Sequence, residues 1–160
     1  MLTKEERKIQ SIQFWTQFDD YCETLPELKG RKKKWILHDT KISHIDLKFD
    51  LSKNSAIVAI EINHKSEFRR LQAFEQLERY RSLLNEGFST DLTWDFCYLN
   101  ANDQEVCRIY IEKPDLDLYN TNDWKDIQQF LAANMLIAQN NFLEIQESLQ
   151  EELNALLRDS

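Results

Sequence analysis

The chain has 160 residues, 42% of them apolar, with four Trp and a formal net charge of −8. That length and apolar content suit one folded domain with a real core and argue against a disordered chain. No run approaches the roughly 20 apolar residues of a membrane span, the N-terminus lacks the apolar core of a signal peptide, and the acidic balance argues against generic phosphate binding. The expectation is a single domain over residues 1–160, soluble and cytoplasmic, with no membrane contact.

Three cysteines without a C-x-x-C pair argue against a thiolate zinc site. Cys97 and Cys107 fall on opposite faces of one expected hairpin, so the spacing predicts reduced, structural thiols.

Residues 3–25 read as a helix. Thr3-x-x-Glu6 matches a capping box, Ile9, Ile12, Trp15, Phe18, Cys22 and Leu25 form its stripe, and Pro26 and Gly30 end it. The one dense basic run follows: Lys29, Arg31, Lys32, Lys33 and Lys34. Such a run can grip phosphate, although most are solvated loops. Trp35 to His38 reads as a short strand or an edge turn.

Residues 44–63 read as a β-hairpin. Ile45, Leu47, Phe49 and Leu51 alternate with polar neighbours, and Val58, Ile60 and Ile62 alternate on the return. A two-residue loop at Lys53-Asn54 sets Phe49 against Val58, Leu47 against Ile60 and Ile45 against Ile62. A helix over 66–86 follows, burying Phe68, Leu71, Phe74, Leu77, Tyr80 and Leu84 and leaving Arg69, Arg70, Arg79 and Arg81 to solvent. Residues 92–112 read as a second hairpin. A loop at Asn102-Asp103 sets Trp94 against Ile111, Phe96 against Ile109 and Tyr98 against Cys107.

A last helix spans 121–157, capped by Thr121 or Asn122, with a stripe from Trp124 to Leu156. At 1.5 Å per residue it is on the order of 50 Å long, against about 20 Å for the width of a four-stranded sheet. Its far end therefore needs the first helix or a second copy of the chain, or the helix breaks near Asn140-Asn141. The architecture predicted is α+β: an antiparallel four-stranded sheet from two hairpins, helices on its apolar face, in the order α-β-β-α-β-β-α.

The other sheet face supplies the site candidates: His44, Asp46, Glu61, Asp95, Arg108 and Glu112. The expected registers set His44 opposite Asn63, Asp46 opposite Glu61, Thr93 opposite Glu112, Asp95 opposite Tyr110 and Cys97 opposite Arg108. Like charges opposite one another on a sheet repel, so an Asp46/Glu61 pair suits a cation, a basic partner or proton transfer, unless Lys48 and Arg108 screen it. Asp46 or Asp50 followed by Glu61 also resembles the acidic skeleton of a metal-dependent nuclease, but Asn63 stands where that site needs Lys, and Lys65 is displaced by two. His38, His44 and His64 match no zinc spacing, and no phosphate loop or nucleophile motif is present. Trp94, Phe96 and Tyr98 share a face with aliphatic partners and read as core. No catalytic residue is assigned, no cofactor is expected, and the metal question stays open.

Taken together, Phe14-Trp15, the strand Ile57 to Ile62, Phe74-x-x-Leu77, Leu92-x-Trp94, Arg108-Ile-Tyr-Ile111 and the Trp124 helix with Phe130-Leu131, Met135 and Phe142 resemble a bacterial family, domain of unknown function 4268. The resemblance covers most of the chain and transfers no catalytic residues. Members are often fused behind a nuclease-like domain, which implies a role beside DNA-processing or defence systems. The functional expectation is an accessory domain that acts by binding, through helix-mediated self-association or a protein partner and through the open sheet face. A nucleic-acid-associated protein is the alternative, and a divergent nuclease-like enzyme the third reading.

Overall fold

Only Ser55 and Glu61 are polar in the run Ser55-Ala-Ile-Val-Ala-Ile-Glu-Ile62, and a strand apolar on both faces belongs in the middle of a sheet. In the computed structural model, which describes residues 1–159, β2 (Ser55–Ile62) is buried along its whole length. It lies between β1 (Ile45–Asp50) and β4 (Glu105–Pro114), and β3 (Thr93–Leu99) completes an antiparallel sheet of order β1-β2-β4-β3. The helices α1 (Lys4–Glu23), α2 (Glu67–Glu78), α3 (Arg81–Asn85) and α4 (Trp124–Arg158) pack on one face of it. The element order is the expected one, with the middle helix in two pieces.

The first hairpin has the register its alternation predicts, from Ile45 opposite Ile62 to Asp50 opposite Ile57. Asn54 takes the left-handed conformation in its turn, at φ +50°. The second hairpin departs from expectation twice. Its loop is three residues long, because the Asn100 side chain accepts from the amides of Asn102 (2.9 Å) and Gln104 (3.0 Å) while Asp103 sits at φ +58°. A β-bulge between Asp95 and Tyr98 adds a second shift, so Trp94 pairs with Ile109 rather than Ile111. Between the two irregularities the side chains are inverted. Tyr98 pairs with Val106, not Cys107, and leaves the helix-covered face for the other one. All three cysteines are free thiols, with Cys107 buried in the core and Cys97 exposed.

The helices meet the body along narrower lines than their apolar residues suggest. Thr3 caps α1 by accepting from the Glu6 amide at 3.1 Å. Inward, however, point Phe14, Phe18 and Cys22, while Ile9 and Ile12 are 51% and 58% exposed. Phe14, Trp15 and Phe18 join Trp35, Phe49 and Trp124 in a cluster of edge-on and stacked rings. The middle helix is interrupted at Tyr80, whose φ of −104° and ψ of 16° fall outside the helical region. α2 buries Arg70, Ala73, Phe74, Gln76 and Leu77, and its Phe68 and Leu71 face solvent. Arg70, expected in solvent, is buried because it closes the turn after β2. Its guanidinium donates to the carbonyls of His64 at 2.8 Å and Lys65 at 3.1 Å.

α4 runs unbroken for 35 residues, about 52 Å. Its far end is held within the chain by a polar stripe. Gln139 accepts from the Ile36 amide at 2.7 Å, Gln146 donates to the Thr40 carbonyl, and Gln150 donates to that of Lys41 at 2.8 Å. On another side Glu152 accepts from Gln76 and Tyr80. Asn141, read as a possible break, donates to the carbonyls of Leu84 and Glu86, tying down the end of α3. The segment 31–44 is thus sewn along α4. Trp35 to His38 forms no strand but an edge turn, with Leu37 at φ +34° and its carbonyl accepting from the Leu47 amide at 3.1 Å.

Candidate functional site

Without a helix over it, the second sheet face buries itself. Ile57, Ala59, Tyr98 and Val106 are each at most 8% exposed although they stand apart from the helix-packed core. At its centre is Arg108, 1% exposed, placed on β4 directly between Glu61 on β2 and Asp95 on β3. Its Nε donates to Glu61 Oε1 at 3.1 Å, and its Nη1 reaches Asp50 Oδ2 on β1 at 2.7 Å. One guanidinium therefore links three of the four strands. Lys48 adds a second cation to Glu61 at 3.5 Å.

A buried charge survives only with partners, and here each has them. Burial opposes the charge of Asp50, but the Ser52 hydroxyl and amide together with Arg108 outweigh it and hold the carboxyl below its ordinary value. Burial likewise works against the charged guanidinium, and Asp50 and Glu61 raise its affinity for the proton. Above the guanidinium lies the Tyr98 ring, 4.3 Å from ring centroid to Arg108, with the Lys53 ammonium 4.2 Å from the same ring. Tyr110 meets Tyr98 edge-on at 5.6 Å.

The candidates from the sequence fall into three groups. Glu61 and Arg108 are the heart of this network. Asp46 does stand opposite Glu61, yet the two carboxylates turn apart: Asp46 accepts from Asn63 at 3.0 Å and lies 3.3 Å from His38. The expected repulsion is therefore dispersed, and Lys48 and Arg108 do the screening. Asp95 faces Arg108 rather than Tyr110, and its carboxylate accepts from the Cys97 amide at 3.0 Å, holding the bulge. Glu112 pairs with Ile57 on β2 and accepts from the Ser55 hydroxyl at 2.7 Å; Thr93, expected opposite it, faces Tyr110. His44 is exposed at the hairpin's end, beside His64.

From the sequence, Asp50 is named only as an alternative acid of a nuclease-like skeleton, and Tyr98 and Lys53 are not named for this face. In sequence Asp50 is one more polar residue of the alternation, between Phe49 and Leu51, and nothing there marks it as the partner of Arg108. Nor does anything mark Tyr98, since only the bulge brings it to this face.

The basic run is divided. Lys33 pairs with Asp39, and Lys34 lies 3.1 Å from Glu23 and 3.5 Å from Asp19; its bond to Glu23 raises the ammonium's pKa. Lys29, Arg31 and Lys32 point outward. As for metal, the positive charge between Asp50 and Glu61 is already supplied by Arg108. Among the described residues no three His, Cys, Asp or Glu side chains are grouped to hold an ion. None of the described helices is long and apolar enough to cross a membrane.

No curated protein and no solved structure matches the chain. A family described as "Domain of unknown function (DUF4268)" matches residues 11–154, and the chain belongs to that family.

Proposed function

We propose that the protein acts by binding a macromolecular partner through the helix-free face of its sheet. The observation that carries this reading is the internal settlement of charge around Arg108, between Asp50 and Glu61. A network closed in this way is rigid, and its members need nothing from a ligand. What the face offers outward is Tyr110 and the ammonium groups of Lys48 and Lys53. An aromatic group on a rigid strand, rimmed by charge, is the usual material of protein interfaces. Self-association, if part of this function, falls to α1, whose outward Ile9 and Ile12 are the exposed apolar pair nearest the N-terminus of that helix. α4 turns its buried stripe to the chain and leaves Leu143 outward. The nucleic-acid reading rests on Lys29, Arg31 and Lys32 alone.

Site-specific photocrosslinking in the native host tests the proposal. A benzoylphenylalanine at position 110 or 48 should give a discrete crosslinked species, and one at position 129, on the outer side of α4, should not. Crosslinks of equal yield from both surfaces, or from position 129 alone, would sink the assignment. Light scattering of the purified chain, with Ile12→Ser as the control, separates a second copy from a different partner.

A further inference from the structure

Where the last two turns of α4 pass α2 and the end of the first hairpin, they enclose a pocket of about 280 Å³. It lies apart from the Arg108 network, and its wall mixes two kinds of residue. Lys41, His44, His64 and Arg69 bring nitrogen donors, and Ala73, Leu153 and Leu156 bring apolar surface. In a chain of net charge −8, no carboxylate lies among the described residues of that wall.

Two further observations point inward. The rings of His44 and His64 stand 4.6 Å apart, with His44 held at φ +65°, a left-handed conformation that costs a residue with a side chain some stability. Second, Nδ1 of His64 is buried and has no hydrogen-bond partner among the described residues. An unmatched buried polar atom costs stability, and a ligand is one way to match it.

We propose that this pocket binds a small monocarboxylic acid with an apolar body, its carboxylate against His44, His64 and Lys41 and its hydrocarbon part against Ala73, Leu153 and Leu156. The volume equals that of about nine waters, room for a molecule of roughly ten non-hydrogen atoms. An inorganic anion would leave the leucines without a partner, and a neutral amphiphile would leave the nitrogen donors of Lys41 and His44 unmatched. This site is independent of the sheet-face reading and stands or falls without it.

Octanoate is the probe, with octanol and inorganic phosphate as its two halves. Titration of the full chain at neutral pH, followed by calorimetry and by the imidazole signals of His44 and His64, should show saturable octanoate binding that moves both rings. Octanol and phosphate should bind at least about ten-fold more weakly, the equivalent of one charge-assisted contact or one buried apolar group. His64→Phe should lose most of the affinity. Lys41→Asn, at an exposed position that Asn tolerates at positive φ, should weaken octanoate several-fold without disturbing the fold. Octanol as tight as octanoate, phosphate as tight as octanoate, or no saturable binding at millimolar octanoate would each overturn the proposal. Octanoate binding unchanged in Lys41→Asn would overturn the placement of the carboxylate.

Discussion

The two faces of the sheet are buried to a similar degree by different means. On one, Val58, Ile60, Ile62, Ile109 and Ile111 disappear under α4 and α2, and the stabilisation is that of apolar area removed from water. On the other, no helix is present, and long side chains do the covering: Arg108 under Tyr98, Lys53 against Tyr98, Lys48 against Glu61. The first kind of burial is tolerant of direction and indifferent to pH. The second depends on particular distances and on charge, so the two faces should fail differently.

The largest effects should come from one substitution on each face. Phe142→Ala empties a core position and should cost about 3–5 kcal/mol. Arg108→Met should cost a comparable amount, about 3–5 kcal/mol, because Asp50 and Glu61 are left buried without their cation. Denaturant unfolding measures both. The comparison is sharpened by a triple variant, Arg108→Met with Asp50→Asn and Glu61→Gln. It should recover most of the loss, whereas no change of charge rescues Phe142→Ala. If the triple variant is no better than Arg108→Met alone, the network is held by shape and not by charge.

Acid separates the faces next. Asp50 has a depressed pKa, so the stability it contributes is present above its unfolded value, about 3.9, and is lost as pH falls through the folded value. Asp50→Asn should flatten the stability profile in that range, and Phe142→Ala should leave its slope unchanged. A second group acts at higher pH. Burial, then the charges of His44, Arg69 and Arg70, lower the His64 pKa to about 4. Between the ordinary histidine value near 6.5 and about 4 the unfolded chain takes up a proton that the folded chain refuses, so stability should decline across that window and His64→Phe should remove the decline.

Smaller effects belong to the seam between α4 and the segment 31–44. Gln139→Ala strands the Ile36 amide and should cost about 1–3 kcal/mol, visible as faster hydrogen exchange at Ile36. Smallest of all, changing Lys29, Arg31 and Lys32 to Ser should move stability by no more than about 0.5 kcal/mol. If an oligonucleotide binds the wild type with a steep salt dependence that this variant loses, the basic run has a role the sheet face does not share.

How far the sequence revealed this arrangement depends on whether local pattern decided it. The register of the first hairpin was legible to the residue, since a strict alternation on both strands leaves one pairing that closes the apolar face. The second was not, because a three-residue loop and a bulge each shift the pairing by one. Neither changes the apolar pattern of Trp94 and Phe96, and together they carry Tyr98 to the opposite face. The candidate site was half legible. Glu61 and Arg108 could be named as polar residues on strands, but their meeting depends on β2 lying beside β4, a long-range choice that hairpin patterns do not contain. Helix faces were misread where apolar residues outnumber the buried positions, as at Ile9, Ile12, Phe68 and Leu71. The long helix raised the right question, what its far end rests on. The answer lay in glutamines and asparagines whose partners are backbone carbonyls and amides distant in sequence.

That helix also sets the timetable of synthesis. Every strand is complete once Pro114 has been made, yet the residues that cover the sheet's apolar face run on to Arg158. At about 5–20 residues per second, the ribosome leaves the isoleucines of β2 and β4 with only α2 over them for a period of seconds. The hairpins can pair during that pause while their greasy side is exposed to every neighbouring nascent chain. A ribosome stalled within α4 would release a sheet without its cover, and such a fragment should be a substrate for chaperones and proteases in a way the finished chain is not.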